Sequence, residues 1–371
     1  MKLQILQENF TKSLALATKF TSTKAQLPVL NNVLLNAQKN KLLISSTNLE
    51  NSVSITNPAK VDEDGKITVP AKIISDIVAN LPKGSLDLET EKEHLKITSG
   101  KFSSMVSGMN PSDFPEIKSV IDTKKAVTIP KEDLLDAVNK VGFSTSIDET
   151  RPVLTGILFI FSKGELTLVS TDGFRLSRKT ISLKNVADGQ KIILPKFVLS
   201  EITKLGEGDT VFFDFNKEDN QAYFSVDDTI LSSRVIEGEF PDYEKIIPKS
   251  SSINVSVDKQ ELQRSIKLAS VFARDSSNIV KIKVERDTLT VSAESQVYGN
   301  QSTQVDVRVE TDEKLSEFVI AFNYHFLEEV LNLIDSEDLK LGFSTPNAPA
   351  IVADTKDENF LHLIMPLRIQ S

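Results

Sequence analysis

Three histidines, scattered carboxylates and no cysteine are what this 371-residue chain offers to chemistry. His94, His325 and His362 stand far apart, at neither HxxxH nor HExxH spacing, so they do not form the paired-imidazole pattern of a zinc site. The absence of cysteine removes disulfides, thiolate nucleophiles and sulfur-ligated metals together. Carboxylates are plentiful, but those in Glu237-Gly238-Glu239-Phe240-Pro241-Asp242-Tyr243-Glu244-Lys245 have no partnered His or candidate nucleophile, and they read as solvated surface. There is no GxxxxGK[ST] loop, GxGxxG fingerprint or GxSxG elbow, and Gly206-Glu207-Gly208-Asp209 reads as a helix end and turn. The expectation is a protein that is not an enzyme and takes no metal and no cofactor. A hydrolase built from surface carboxylates would instead need a pocket of mutually perturbed acids.

The elements that would position any site are legible because they recur. From Arg151 to Ile181 the chain has a helix exit at Pro152, two alternating strands joined at Lys163-Gly164, and a turn at Asp172-Gly173 into a third strand. Moving back 124 positions gives Pro28, Val29, Leu30, Val33 and Leu34 for Pro152, Val153, Leu154, Ile157 and Leu158. Asn48 and Leu49 replace Asp172 and Gly173, so the first copy is expected to lack the turn.

Two helices repeat with the same spacing. Leu3 and Ile5 alternate like a strand before Phe10, Leu14 and Ala17 take helical spacing; Val127 and Ile129 precede Leu134, Val138 and Val141, and Val255 and Val257 precede Leu262, Ile266 and Ala269. Later, Ile73 to Ile77 matches Val198 to Ile202 and Phe326 to Val330, with Pro70, Pro195 and Asn323 at the helix entrances. The fold class is therefore α+β: three tandem repeats of a similar domain, each with two helices packed on antiparallel sheets. Limits near Lys124 and Ser250 give domains 1–124, 125–250 and 251–371. A period this long makes each unit a domain rather than a stacking module. Three similar domains in tandem form an arc with two unlike ends, and a head-to-tail contact between the ends of two chains can close it into a ring.

The formal charge of −9 disfavours nucleic acid only on average, since phosphates respond to the local field. Lys12, Lys19, Lys72, Lys140, Lys196, Lys204, Arg264 and Lys267 lie on the polar sides of the helices, and would add into a basic lining if all the helices face one way. No apolar run is long enough to span a bilayer, and MKLQILQENF does not resemble a secretory signal, so no membrane is expected and the chain is expected to be cytoplasmic.

The order and spacing of Thr171-Asp172-Gly173-Phe174-Arg175-Leu176, Glu239-Phe240-Pro241-Asp242-Tyr243 and Met365-Pro366-Leu367-Arg368-Ile369, with the three repeats, resemble the bacterial DNA polymerase III beta sliding clamps over the whole chain. That resemblance implies a homodimeric, head-to-tail ring around double-stranded DNA, bound without regard to sequence. It implies as further partners the polymerase III catalytic subunit, a clamp loader complex and other proteins carrying a clamp-binding motif. Carried over by position, a peptide groove comprises Leu154, Thr171, Gly173, Phe174, Arg175, Leu176, Pro241, Ile246, Asn323, Phe326, Met365, Pro366, Leu367 and Arg368. Aliphatic walls would bury a Leu or Phe anchor, with Arg175 reaching polar groups at the rim. The resemblance also places ring closure at Phe102, Ser104 and Val106 against Val271 and Phe272, and DNA contacts at Lys24, Lys72 and Lys196. Two departures from the family pattern are Phe174, where His is frequent, and the extra Gln370 and Ser371. The alternative is a non-enzymatic three-domain scaffold that binds peptides without encircling DNA.

Overall fold

The alternation of Leu3 and Ile5 becomes the strand Lys2–Leu6, and the helical spacing that follows becomes the helix Gln7–Thr18, with Phe10, Leu14 and Ala17 fully buried. The same strand-to-helix step recurs at Val127–Pro130 into Lys131–Gly142 and at Ile253–Asp258 into Lys259–Ala273. The second helices are Ala71–Ala79, Lys196–Ile202 and Tyr324–Leu331. Pro70 precedes the first of these, and Asn323 caps the third by accepting a hydrogen bond from the His325 amide at 3.0 Å. The computed structural model describes residues 1–22, 27–184, 189–311 and 317–368.

Two compact units divide the chain, one holding 1–132 with 197–235 and the other 133–196 with 236–371. In the first unit a five-stranded antiparallel sheet runs Lys60–Glu63, Lys2–Leu6, Ser85–Glu91, His94–Ser99, Phe102–Ser107. Beside it an eight-stranded sheet runs Val127–Pro130, Thr210–Asn216, Gln221–Val226, Thr229–Arg234, Asn51–Pro58, Lys41–Thr47, Asn32–Gln38, Gly65–Pro70. Helices Gln7–Thr18 and Ala71–Ala79 pack on one another, and Leu86, Leu88, Leu95, Leu35, Ile44 and Val53 are fully buried.

In the second unit one twelve-stranded arrangement begins Gln190–Pro195, Gly156–Ser162, Glu165–Thr171, Arg175–Ser182, Phe360–Ile364, Ala350–Asp354, Asp338–Phe343, Ile253–Asp258. It continues through the long strand Gly299–Thr311 to Thr288–Ser295, Ile279–Val284 and Phe318–Asn323. Val307 to Thr311 pairs with Ile253–Asp258, whereas Gly299 to Asp306 pairs with Thr288–Ser295, so a single run of backbone serves two ladders.

Each unit contains the same joint between repeats. Read straight across the strands, the first unit gives Val127, Phe213, Phe224, Leu231 and then Val53 of the first repeat. The second gives Val255, Leu341, Val352, His362 and then Ser177 of the central repeat. The row starting at Leu3 runs Leu88, Ile97, Ser104 and stops, because Phe102–Ser107 is the last strand of its sheet. The matching receiving strand is Gly299–Thr311: Val53, Ser177 and Gln301 are spaced by 124 residues. Over Gly299 to Asp306 its second edge has no strand partner among the described residues.

Two local expectations are corrected. Pro152 does not end a helix; it opens the short helix Pro152–Thr155, as Pro28 opens the turn Pro28–Asn31, because a residue without an N–H is tolerated at a first helical position. The first copy also keeps its turn. The Thr47 hydroxyl accepts from the Leu49 amide at 3.0 Å, and the Asn48 side-chain oxygen accepts from the Glu50 and Asn51 amides at 3.1 and 2.7 Å. Leu49 takes the left-handed conformation, φ 76°, that Gly173 takes at 93°. The side-chain acceptors at 47 and 48 hold this turn without a glycine.

Candidate functional site

The turn between Glu165–Thr171 and Arg175–Ser182 is built by its own polar side chains. Thr171 Oγ1 accepts from the Gly173 amide at 3.0 Å and donates to the Arg175 carbonyl at 2.6 Å, while Asp172 Oδ1 accepts from the Phe174 and Arg175 amides at 2.9 and 3.0 Å. This geometry turns Phe174 outward, 57% exposed, and Arg175 inward. The Phe174 carbonyl accepts from the Met365 amide at 2.8 Å, and the Ala321 carbonyl accepts from the Leu367 amide at 2.8 Å. Met365, Pro366, Leu367 and Arg368 are thus tied to the turn at one end and to the strand Phe318–Asn323 at the other. The Phe174 ring stacks on Phe326 with centroids 6.5 Å apart.

Beneath the turn, Leu158, Val169, Leu176, Ile193, Tyr243 and Leu363 form one apolar cluster. Phe240 and Ile247 dip into it, which leaves Pro241 and Ile246 exposed at its margin. Leu154 is buried beside Val153, which packs on the same cluster. The expected groove residues therefore collect in one unit, but Leu154, Thr171 and Leu176 are floor and frame. The exposed apolar surface comes from Phe174, Ile246 and Pro241, with Met365 half-buried.

Arg175 departs from the expectation of a rim contact. It is only 9% exposed; its Nε donates to Asp172 Oδ2 at 3.0 Å, one Nη to the Phe143 carbonyl at 2.9 Å and the other to Glu329. Its planar face also lies against Phe143 and Phe326. The planar fork satisfies three acceptors while stacking on rings, a combination that Lys cannot reproduce. Phe143 and Glu329 were not found from sequence, although Glu329 stands one helical turn beyond Phe326. Lys196 sits near this group: desolvation, then the Arg175 charge, pull its pKa down, with Glu329 opposing.

Two other buried polar groups lie in this unit. His362 is fully buried; its Nδ1 shares a 2.8 Å hydrogen bond with Ser177 Oγ, which in turn meets Ser144 Oγ at 2.7 Å. Burial, followed by the positive charge of Arg175, pushes the imidazole pKa down to about 3. Lys140, expected on a solvated helix face, is instead buried among Asp136, Asp335 and Asp357 at 3.3, 3.2 and 2.8 Å. Desolvation works against its charge, but hydrogen bonds to Asp357 and Asp335 and the charge of Asp136 raise its pKa. It is an internal ion-pair residue and is removed from the basic lining. No cluster of His, Cys, Asp or Glu able to hold a metal occurs among the described residues.

The remaining expected surfaces are distributed as follows. Lys72 is exposed on Ala71–Ala79, Lys196 stands at the start of Lys196–Ile202, and Lys24 lies outside the described residues, as do Ile369, Gln370 and Ser371. Lys19 and Lys204 meet Glu201 at 2.6 and 3.0 Å. Phe102 is partly exposed, Ser104 intermediate and Val271 58% exposed, whereas Phe272 is half-buried against the third-repeat core. Val106 turns its side chain inward opposite Leu95, because residues facing one another across a ladder share a face. Met105, next to it on the opposite face of the strand, points outward, 51% exposed.

Comparison with known proteins matches the chain from end to end. Family models described as the N-terminal, central and C-terminal domains of the DNA polymerase III beta subunit match residues 1–118, 128–242 and 244–368. The beta sliding clamp of Staphylococcus aureus is 28% identical, and that of Staphylococcus epidermidis 26%, over 99% of both chains in each case. Among solved structures, the DNA polymerase III beta subunit of Thermotoga maritima is 27% identical with a TM-score of 0.90, each chain covered completely. The Bacillus subtilis sliding clamp, 23% identical with a TM-score of 0.93 over both whole chains, adds a likeness of fold.

Proposed function

The chain belongs to the DNA polymerase III beta-subunit family, and from that premise we propose how its residues do the work of a DNA sliding clamp. The three-domain protein forms a dimeric ring that encircles duplex DNA and tethers the replicative polymerase. Such a ring is a processivity factor: its product is proximity, since confinement raises the polymerase's effective concentration at the primer end. Contacts to phosphate alone carry no sequence information, so the ring can slide, and enclosure keeps it from leaving sideways.

The observation that supports closure is the unpaired row. The domains, with limits near Lys124 and Ser250, meet twice within the chain by the same strand-to-strand joint. The third joint needs Phe102–Ser107 of one protomer and Gly299–Thr311 of another. Carrying over the two internal registers sets Ser104 opposite Gln301 of the partner subunit and Ser103 opposite Ser302 of the partner subunit. Phe102 and Met105 would then be covered by the neighbouring protomer, with Val271 and Phe272 completing the contact from the third domain. Lys24, Lys72 and Lys196 are assigned to DNA, with exposed Lys12, Arg264 and Lys267 adding to the field.

The groove around Phe174, Ile246 and Met365 is assigned to the short motifs of the polymerase III catalytic subunit and other clamp-binding proteins, a Leu or Phe anchor packing over Leu176 and Leu363. A clamp loader driven by ATP is the partner that opens the ring, because the chain carries no nucleotide-binding motif of its own. The deciding experiment loads the protein on nicked circular DNA: it should stay bound in high salt and be lost when the circle is cut. Salt-sensitive retention that ignores linearisation would remove the ring from the explanation.

A further inference from the structure

The joint in the first unit carries its own cavity, of about 510 Å³ and thus within the size range of peptide and small-ligand sites. It lies beside the Thr47–Asn51 turn, whose hydrogen bonds repeat those of the Thr171–Arg175 turn. The Arg234 amide donates to the Glu50 carbonyl at 2.8 Å, as the Met365 amide donates to that of Phe174. The two turns thus stand in equivalent places, but the chemistry around them differs. Leu49, half-exposed, faces a lining that includes Ile117 and the ring of Tyr223. Glu50, Glu116 and Asp219 supply three carboxylates. The one base in the lining, Lys118, is held at 3.2 Å by Asp214 and at 4.0 Å above the Tyr223 ring. Asn51, at the position of Arg175, has a buried side-chain oxygen without a hydrogen-bond partner.

We infer that this cavity is a second docking site, for a linear peptide that inserts one apolar side chain between Leu49, Ile117 and Tyr223 and presents arginine or lysine to Glu50, Glu116 and Asp219. Charge complementarity selects the occupant: the walls accept an aliphatic or aromatic anchor, while a lining with three carboxylates to one base repels acidic flanks and attracts basic ones. The site differs from the groove at Phe174 in its turn, where Gly173 and Phe174 replace Leu49 and Glu50. Because the inference stands on the first unit's own lining, it does not depend on the assignment of the second unit's groove.

The chain contains no Trp, so a tryptophan-bearing peptide reports its own burial without background. The probe is acetyl-Arg-Arg-Trp-Leu-Arg-amide, titrated with the full-length dimer at low ionic strength, beside the same peptide with glutamate for each arginine. A blue shift is expected with the basic peptide and none with the acidic one. Glu50→Gln with Glu116→Gln should weaken binding at least about tenfold, and Arg175→Ala should leave it unchanged. Ile117→Glu tests the apolar wall and should abolish the shift, with circular dichroism confirming that the variant is folded. The inference is overturned if the basic peptide does not bind, if folded Glu50/Glu116 variants bind it as well as the parent, or if Arg175→Ala alone removes binding and so places the peptide in the other groove.

Discussion

The guanidinium carbon of Arg175 lies 4.7 Å from the centre of the Phe326 ring, which joins a side chain of the central repeat to a helix of the third. Since the same Arg also holds Asp172, and Asp172 holds the turn that presents Phe174, the surface available to a peptide depends on a residue that is itself covered.

Arg175→Ala should therefore weaken motif binding by loosening Phe174 and Phe326. It leaves the partly covered Asp172 without its cation, whereas the half-exposed Glu329 can rehydrate, so the stability cost should be about 2 kcal/mol rather than the larger loss of a fully buried pair. Arg175→Lys should recover little of either, because a point charge cannot serve the fork or the stack. Urea titration and fluorescence anisotropy of a labelled polymerase peptide measure the two effects. Light scattering should show the dimer unaltered.

The register proposed for ring closure is open to a direct test, since the chain has no cysteine to interfere. Ser103→Cys combined with Ser302→Cys should give a covalently closed dimer on mild oxidation, because directly opposed residues on antiparallel strands fall within disulfide reach. Ser103→Cys with Gln304→Cys, displaced by two positions, should link far less. Non-reducing electrophoresis gives the comparison, and equal yields from both pairs would contradict the register.

Acid should destabilise the second unit before the carboxylates titrate. His362 stays neutral in the fold down to about pH 3, whereas an unfolded His takes up a proton near 6.5. The unfolded state therefore binds the extra proton between those values, so stability falls as pH drops through that window, with a slope approaching about 1.4 kcal/mol per unit. Urea midpoints should decline between pH 7 and pH 5, and His362→Gln should flatten that decline even if it lowers stability throughout. An unchanged slope would show that the imidazole is not held neutral by burial.

Leu49→Gly should keep the fold and raise stability by up to about 1 kcal/mol, because a leucine at φ 76° bears the steric cost of the left-handed region that glycine escapes. Thermal melts check the sign. A loss of stability would mean that the half-exposed side chain contributes more by packing than its backbone loses.

Much of this architecture was legible because tandem duplication prints the same spacing three times: the strand before each first helix, the second helices and the caps at Pro70 and Asn323 stand where periodicity put them. Less legible was what fills each equivalent place. Leu49 concealed a turn because its neighbours' side-chain oxygens, rather than a glycine, organise it. Lys140 looked like a solvated helix residue because Asp335 and Asp357, which enclose it, lie in another repeat. Glu201 and Glu329 occupy matching helical stations and both meet cations, one from Lys19 and Lys204 and the other from Arg175, a substitution of partner that spacing alone does not reveal. The Thr171–Leu176 turn was found, but its division into an outward Phe174 and an inward Arg175 came from hydrogen bonds local to the turn.

The long strand Gly299–Thr311 has a mechanical corollary. Its hydrogen bonds to a neighbouring strand run across the backbone, so a force that peels the edge outward breaks them singly, whereas a force along the strand must rupture several at once. A joint made on such a strand resists sliding past its neighbour and yields to peeling, and its open edge is continuous with the backbone that carries the Ile253–Asp258 ladder.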